Sequence, residues 1–539
     1  MRSSRTFYIP WRNLTMWALL VVLIFLVTNL CTIGQYGMTW DESFGMERGE
    51  NTIASVKQLV VGHQQNNFDR PLFAHPAFYA TCNYLVAEFM IRWCGWKPLP
   101  AGHLLNLVTA TGGLLALFFF GRTLFSPTVG FVAVLFMVLF PRFIAHAHAN
   151  PKDIPVMVFA ILTLMLLYRA AESGSTPMWL LAALSCAMTV TSKLDGLFLL
   201  PIFFIPWLLT RWRGEMGAAG QLRNVGWFFY ALAVFVYILW PEIWLDPLHM
   251  VKAVEHFTGY FLNRDNLEYL GHSYALDKIP WHYLPLHLVI VTPLLSLMFF
   301  LIGSVSSIQM LLKKEDVFKH SLLWCWLLIP LMARWVPGTI QYDGMRHVFI
   351  VVPAMALLAA FGTERLLAWW QSGGRPALVP AAASSAILVW LGWQSVQIHP
   401  LEAYYLNEVT RSVVSPAELH RNFDFHGYGM IFKYGIDWVN AFAPAGSSVA
   451  LGHDDNHDDN RQDLRPDLRW QSSLDPLAAD FIIVAGWRPD LKDSLVAKPV
   501  FTLQCYGADV LWVLATTPAG QPSSGQPQSD PGKTDSGNP

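Results

Sequence analysis

Long apolar runs separated by short polar stretches dominate the first 395 residues. A helix needs about 20 mostly apolar residues to cross the hydrocarbon core of a bilayer. The first run is longer than the apolar part of a usual signal peptide and no small-residue cleavage site follows it, so we predict an uncleaved span. The runs predict about eleven membrane-spanning helices, at residues 14–33, 103–121, 126–142, 154–170, 177–192, 196–211, 224–241, 283–303, 319–335, 346–367 and 376–395.

One further apolar stretch, residues 72–93, contains several polar and charged side chains and is ambiguous. Positive charge in short loops favours the cytoplasmic side of a membrane. With eleven spans, three basic loops lie on the cytoplasmic side together with the N-terminus: 211–213, 313–316 and 373–375. We therefore predict that residues 72–93 form a helix along or dipping into the outer interface. A twelfth span with the N-terminus outside is the alternative.

The same topology places most of the unusual polar residues on the outer face. A purely structural helix bundle would have no reason to concentrate His, Asp, Glu and Lys there. The predicted outer segments are 34–102, 143–153, 193–195, 242–282, 336–345 and everything after 395.

The character of the sequence changes after residue 395. An amphipathic helix at 429–442 and short apolar, β-prone stretches at 447–452, 480–485 and 509–516 predict a small α/β domain. Residues 518–539 are rich in Pro, Gly, Ser and Gln and are predicted to be disordered. The expected organisation is a transmembrane domain (1–395), an outer-face soluble domain (396–517) and a disordered tail (518–539).

Composition narrows the function classes. Only 14% of the 539 residues are charged, against about 25% in soluble proteins. The net charge of −2 gives no basic excess for binding nucleic acid. The six cysteines are scattered without a CxxC spacing, so no disulfide framework or cysteine metal site is predicted. No nucleotide-binding signature is present, so any transfer reaction would draw on an already activated lipid donor.

Asp41 and Glu42 stand side by side about ten residues beyond the first span. Carboxylates there could act as a general base, as metal ligands or as both. Asp and Glu also favour the first turn of a helix, so a solvated helix start explains the pair equally well.

Five other outer stretches combine residue types that carry chemistry, and each has a structural alternative. The alternatives are a turn at His75, a helix cap at Asp153, interface aromatics after residue 240, snorkelling at Arg346 and a solvated acidic loop at 453–460. The stretches are RPLFAHP at 70–76, HAHANPKDIP at 146–155, the loop 242–282 with its flanks WPEIWLDP and PWHY, YDGMRH at 342–347 and HDDNHDDN at 453–460.

Several stretches match one pattern in order and in predicted sidedness: TWDE at 39–42, HP at 75–76, NPKDIP at 150–155, TSKLDGLFLLP at 191–201, PWHYLPLHLVIVTPL at 280–294, GMRHVFIVVPAMALLAA at 344–360 and HPLEAYYLNE at 399–408. On these residues the chain resembles the GT-C superfamily of membrane glycosyltransferases. Within it, the chain is similar to the protein O-mannosyltransferases and 4-amino-4-deoxy-L-arabinose lipid A transferases, a glycosyltransferase family 39-like group. Two departures concern HPAF, where the family often has HPPL, and His347, where a Tyr is usual.

The resemblance implies a GT-C transmembrane catalytic domain of about 11 helices, with interfacial helices in the first outer loop and a small C-terminal α/β domain. It implies an inverting transferase that moves a sugar from a polyprenyl-phosphate donor to a glycan, lipid or protein acceptor on the outer face. The motif style is that of a bacterial inner-membrane protein with a cytoplasmic N-terminus and a periplasmic C-terminal domain. A polytopic lipid or glycan transporter or flippase is the alternative.

The same resemblance assigns roles to residues. Asp41 is expected to be the base or its orienting partner, Glu42 a support or metal ligand, and Asp153 the second catalytic acid. Lys193 and Arg346, with Lys152 and His347 behind them, are expected to bind the donor phosphate. His75, Glu242, His272, His282 and Tyr283 are expected to contact the substrate. A divalent metal stays open, with Glu42, His75 and His272 as its candidate ligands.

Overall fold

A computed structural model of the chain describes residues 11–61, 75–213, 221–259, 266–336, 339–376, 378–423, 425, 427–452, 461–471, 476–488, 492–493 and 497–516. The predicted tail 518–539 and the acidic loop 453–460 lie outside these residues.

Helices make up most of the first 398 residues. Their bounds are α1 (Trp11–Thr32), α2 (Trp40–Val61), α3 (Phe78–Cys94), α4 (Pro98–Leu124), α5 (Pro127–Val138), α6 (Pro141–Ala149), α7 (Asp153–Ser173), α8 (Thr176–Val190), α9 (Leu199–Trp212), α10 (Gln221–Leu239), α11 (His249–Gly259), α12 (Tyr283–Val291), α13 (Leu294–Lys313), α14 (Val317–Ala333), α15 (Val352–Ser372) and α16 (Leu378–Ile398).

Within the described residues, eight helical stretches are long and apolar enough to cross a membrane, and the pair α5–α6, bent by 73°, could be a ninth. Helices α8 and α14 are apolar but shorter. All eleven predicted runs are therefore helical, but fewer are full-length. The run 126–142 bends before Pro141, and the run 283–303 breaks at Pro293, because proline cannot donate a helical hydrogen bond. Helix α3 is not among the candidate spans.

Burial separates a central helix from the lipid-facing ones. In the apolar 18-residue window of the span Gly344–Ser372, 94% of the residues are buried, whereas 17% are buried in that of α13. The two helices pack backbone to backbone, since a Cβ added to Gly303 or Gly362 would collide with the other helix. Large apolar side chains such as Ile24 and Leu301 are exposed on the outside of the bundle, where lipid tails replace water as the solvent. The protein is a polytopic α-helical integral membrane protein, as predicted.

A hairpin and a C-terminal sheet complete the fold. Strands β1 (Leu267–Tyr269) and β2 (His272–Tyr274) are antiparallel and lie between α11 and α12. After α16 come α17 (Glu408–Val413), α18 (Leu419–Asn422) and α19 (Phe432–Phe442), followed by β3 (Ser448–Leu451), β4 (Arg469–Trp470), β5 (Phe481–Ala485), β6 (Lys498–Cys505) and β7 (Ala508–Ala515).

The five-stranded sheet has the order β4-β3-β5-β7-β6. Strands β4 and β5 run parallel to β3, and β7 is antiparallel to both β5 and β6. The sequence predicted β3, β5 and β7, which are buried, and missed both edge strands, β4 and β6. Strand β4 has only two residues, and the exposed Lys498 and Gln504 dilute the apolar pattern of β6. The small C-terminal α/β domain is confirmed.

Candidate active site

Asp41 and Glu42 open helix α2 but turn to different partners. Oε2 of Glu42 accepts a hydrogen bond from the backbone N–H of Thr39 at 2.8 Å. This is one half of a capping box, in which a Glu at the third helical position reaches back to the residue before the helix. Oε1 of Glu42 lies 2.9 Å from Nε2 of the buried His103. Both oxygens of Glu42 therefore make structural contacts, and its role in catalysis or metal binding stays a prediction.

The Asp41 carboxylate meets three donors from distant parts of the chain. Oδ1 lies 2.6 Å from Nζ of Lys152, and Oδ2 lies 2.7 Å from Nη1 of Arg346. The Tyr428 hydroxyl also donates to Oδ2. Burial by itself would raise the pKa of Asp41, but Arg346, Lys152 and the Tyr428 hydroxyl together hold that pKa well below its usual range. Asp41 is thus ionised and fully engaged in this arrangement.

A second group of ion pairs surrounds Asp153 at the start of α7. Nζ of Lys193 lies 2.7 Å from Oδ1 of Asp153 and 3.3 Å from Oδ2 of Asp195. Nη2 of Arg334 lies 2.7 Å from the same Asp195 oxygen. The Asn150 side chain fixes Asp153, since it donates to Oδ2 and accepts from the Asp153 backbone N–H, each at 2.9 Å. Although burial lowers it, the pKa of Lys193 is raised by Asp153 and Asp195.

Aromatic rings and one more carboxylate enclose the Arg346 guanidinium, which is 7% exposed. Its Cζ atom lies 4.3 Å from the Tyr428 ring centre and 5.3 Å from that of Tyr342. Oδ2 of Asp343 lies 3.0 Å from Nη1. Nε of Arg346 and Nε2 of the neighbouring His347 are buried and have no hydrogen-bond partner among the described residues. Both nitrogens are therefore available to hydrogen-bond a ligand that enters the site.

These two groups form one assembly, because Lys152 and Asp153 are adjacent in sequence and Arg334 also contacts the backbone oxygen of His347 at 3.5 Å. Within the described residues it joins four carboxylates and four basic side chains and carries no formal net charge. An anion that enters the site could replace the carboxylates as the partner of the basic side chains. We call this assembly the charged cluster: Asp41, Lys152, Asp153, Lys193, Asp195, Arg334, Asp343 and Arg346.

Glu242 and His75 reach the charged cluster indirectly. Glu242 forms a buried ion pair with Arg48, and the Arg48 guanidinium donates to the backbone oxygen of His75 at 3.1 and 2.9 Å. The His75 ring meets the Phe44 ring edge-on at 4.9 Å, and Nζ of Lys152 lies 4.6 Å above that same ring. Burial, with the Lys152 charge nearby, lowers the pKa of His75 well below its usual value. Glu242 is buried at its pair with Arg48, and its contact with substrate stays a prediction.

The three remaining residues that were predicted to contact the substrate lie in different surroundings. The buried Tyr283 hydroxyl accepts a hydrogen bond from the backbone N–H of Gly344 at 2.8 Å, which positions the segment that carries Arg346. Nδ1 of His282 lies 2.7 Å from the Tyr269 hydroxyl. His272 is exposed on β2. No hydrogen bond or ion pair found in the described ranges joins His272 or His282 to the charged cluster.

No metal site emerges from the candidate ligands. The described ranges contain no group of three or more His, Cys, Asp and Glu side chains placed to hold a metal ion. Glu42, His75 and His272 therefore form no such group in the part of the chain that the structure describes, and a divalent metal stays a prediction.

Comparison with known proteins gives a family match over part of the chain and a fold for most of it. Residues 100–244 match the family described as dolichyl-phosphate-mannose-protein mannosyltransferase. A comparison with curated proteins finds no match. The apo crystal structure of ArnT from Cupriavidus metallidurans superposes with a TM-score of 0.53 at 13% identity, over 94% of this chain and 99% of ArnT. This chain has the GT-C glycosyltransferase fold.

A second GT-C structure supports the same fold. The apo oligosaccharyltransferase of Archaeoglobus fulgidus superposes with a TM-score of 0.52 at 9% identity, over 94% of this chain and 75% of that one. The predicted fold class and the resemblance to the GT-C superfamily are therefore confirmed. The matched family segment includes Lys152, Asp153 and Lys193 but neither Asp41 nor Arg346.

The sequence did not reveal three of the eight residues of the charged cluster, nor Tyr428, whose ring packs against Arg346. Asp195 and Asp343 lie within stretches that had been singled out, but neither had been assigned a role. Arg334 ends a predicted span on the outer side, where the positive-inside rule disfavours a cation, and that exception was a usable signal. Tyr428 stands between two glycines in the C-terminal domain, and no pattern around it indicated a site 387 residues from Asp41.

Proposed function

We propose that this protein is a membrane glycosyltransferase that moves a sugar from a polyprenyl-phosphate donor to an acceptor hydroxyl, with inversion at the sugar carbon. The observation that carries the proposal is the Asp41 carboxylate held between Lys152 and Arg346. A candidate base and candidate phosphate ligands thus touch each other in one buried site. The GT-C fold and the family description, which names a lipid-phosphate sugar, point the same way.

The reaction asks for a base and for cations that stabilise the leaving phosphate. Lys152, Lys193 and Arg346 would bind the phosphate oxygens, with Nε of Arg346 and Nε2 of His347 as further ligands. Asp41 would accept the acceptor proton while the acceptor oxygen bonds to the anomeric carbon. The bond from that carbon to the phosphate oxygen then breaks, and polyprenyl phosphate departs with the electron pair. Stabilising that developing charge is usually the largest contribution in such sites.

The ion pairs also imply an order of events. Asp41 is a poor base while Lys152 and Arg346 hold its pKa well below the usual range. A donor phosphate that draws these cations away would let the pKa of Asp41 rise toward its ordinary value. Binding of the donor would therefore switch on the base, and the donor should bind before the acceptor reacts.

The position of the charges favours an enzyme over a transporter. Transporters place ionisable residues near the middle of the bilayer. Here Asp153 begins α7, Lys193 follows α8, Arg334 follows α14 and Arg346 precedes α15. We place this end of the bundle and the C-terminal domain on the periplasmic side of a bacterial inner membrane, because the basic loops lie at the other end. The acceptor is a glycan, lipid or protein carrying a hydroxyl group.

Release of polyprenyl phosphate tests the proposal. Purified protein in lipid nanodiscs would be incubated with a panel of polyprenyl-phosphate sugars, beginning with dolichyl-phosphate-mannose, and the lipid products separated by chromatography. We expect release by the wild type and a fall of about 10²- to 10⁴-fold in Asp41→Asn, the usual contribution of a general base. Asp437→Asn is the matched control, since Asp437 forms an exposed pair with Lys433 away from the charged cluster.

Two outcomes would contradict the proposal. One is a wild-type protein that releases no lipid phosphate from any donor in the panel. The other is an Asp41→Asn variant as active as Asp437→Asn. A transporter would instead move the intact donor across a vesicle membrane without cleaving it. Parallel assays with a metal chelator would decide whether a divalent ion takes part.

A further inference from the structure

The C-terminal domain delivers one side chain into the charged cluster. Tyr428 lies on the turn Gly427–Gly429 and is buried. Its hydroxyl donates to Oδ2 of Asp41, and its ring lies under the Arg346 guanidinium and 5.9 Å from the His146 ring. The same domain also touches α2 next to Asp41, where the rings of Trp40 and Trp487 meet at 5.8 Å.

The backbone of this turn is unusual. Gly427, Tyr428 and Gly429 have φ values of +59°, +63° and +85°. Residues other than glycine rarely adopt this left-handed region. Gly427 has no room for a side chain, because a Cβ there would strike the Tyr404 ring, and a Cβ on Gly429 would lie in tight contact with the Trp40 ring at 3.3 Å. Such conformations persist where the surroundings enforce them and are common at functional sites.

The Tyr428 hydroxyl stands where a reacting hydroxyl would have to stand. A general base must lie within hydrogen-bond reach of the proton that it removes. Oδ2 of Asp41 already receives Nη1 of Arg346 and the Tyr428 hydroxyl, and the carboxylate oxygen has two lone pairs for such contacts. An acceptor hydroxyl that approaches the same oxygen therefore competes directly with Tyr428.

We propose that Tyr428 occupies the acceptor-hydroxyl position on Asp41 and is displaced by the acceptor. The inference rests on the proposed transferase function. In the resting site Tyr428 covers the base and excludes water, which could otherwise act as the acceptor and hydrolyse the donor. In that side reaction a water proton passes to Asp41, the water oxygen bonds to the anomeric carbon, and polyprenyl phosphate leaves with the electron pair. The products are free sugar and polyprenyl phosphate.

Comparing Tyr428→Phe with Tyr404→Phe isolates the hydroxyl contact. Phenylalanine keeps the ring of Tyr428 and removes only the donor to Asp41. Tyr404 is the matched control, because its hydroxyl is buried without a hydrogen-bond partner among the described residues and its ring packs against the same turn. Each protein in nanodiscs would receive the polyprenyl-phosphate sugar that the wild type cleaves, first without an acceptor and then with glycerol as a surrogate alcohol.

We expect Tyr428→Phe to raise donor hydrolysis and lower the half-saturating glycerol concentration, each by about tenfold, the usual effect of a hydrogen bond to a charged group. Tyr404→Phe should behave as the wild type. If Tyr428→Phe instead reduces hydrolysis, or leaves both quantities at the Tyr404→Phe values, Tyr428 does not occupy the acceptor position. A wild type that cleaves no donor contradicts the proposed function and this inference with it, whereas an active wild type with unresponsive Tyr428→Phe overturns the inference alone.

Discussion

Replacing Glu242 with leucine should destabilise the protein, because it leaves the Arg48 guanidinium buried without its counter-charge. The two side chains are 1% and 0% exposed. Arg48 lies on α2, the helix that carries Asp41, and Glu242 follows α10. The ion pair therefore connects α2 to a segment 194 positions further along the chain. The two hydrogen bonds from Arg48 to His75 depend on the same guanidinium.

The expected loss follows from the burial of the pair. Removing one partner of a buried ion pair costs about 3–5 kcal/mol, since the remaining charge is desolvated without compensation. Replacing both partners with apolar residues of similar volume is often nearly neutral. We therefore expect Glu242→Leu and Arg48→Met each to lower the free energy of unfolding by about 3–5 kcal/mol. The double variant should lower it by less than either single variant.

A denaturant titration in detergent, followed by tryptophan fluorescence, would measure the free energy of unfolding of all four proteins. Asp246→Leu provides the control, since Asp246 and Lys252 form an exposed pair, 33% and 65% accessible. Exposed pairs of that kind contribute little to stability, because water screens the two charges. The reasoning is refuted if either single variant is no less stable than Asp246→Leu, or if the losses of the two single variants add up in the double variant.

Three more predictions concern the charged cluster and its turn. Arg346→Ala should reduce kcat/KM for the donor by about 10- to 100-fold. Arg346→Lys should reduce it less, because lysine keeps the positive charge, but still measurably, because lysine lacks the planar guanidinium fork. Equal donor kinetics in both variants and wild type would remove Arg346 from the site. The depressed pKa of Asp41 stabilises the fold above the unfolded carboxyl pKa of about 3.9, and this contribution is lost as the pH falls through the folded value. The stability gap between wild type and Asp41→Asn should therefore be constant above about pH 5 and narrow below about pH 4; a gap that does not narrow in acid unfolding titrations contradicts it. Gly427→Ala should be more destabilising than Gly446→Ala, because both have positive φ but only Gly427 faces a ring, that of Tyr404; equal unfolding free energies would show that the Tyr404 contact does not constrain the turn.

The resemblance found Asp41, Lys152, Asp153, Lys193 and Arg346 because each stands in a short motif beside a predicted span, and helix ends on one side of a bundle converge. It also gave Asp41 and Glu42 different expected roles, a distinction that two adjacent acids do not carry by themselves. That distinction depends on side-chain direction at the start of α2, where the capping contact turns Glu42 back toward Thr39 and leaves Asp41 facing Lys152.

For Glu242, the sequence did not reveal the contact that the side chain makes in the structure. A carboxylate in an outer loop rich in aromatics fits a substrate contact, and its sequence neighbourhood gives no hint of Arg48. Only the packing of α2 against the segment after α10 pairs the two and turns Glu242 into a residue that positions His75.

The sequence by itself determined the membrane class, the number and order of the apolar segments, the C-terminal domain and most of the basic and acidic groups of the site. These follow from local properties: the length of apolar runs, the charge of short loops and the motifs at helix ends. The tertiary structure alone decided which charges pair with one another, that Arg334 and Asp195 join them, and that Tyr428 from the C-terminal domain lies on Asp41. Those contacts join residues up to 387 positions apart. They arise from the packing of whole helices and of a separate domain, which no pattern within a short stretch of sequence encodes.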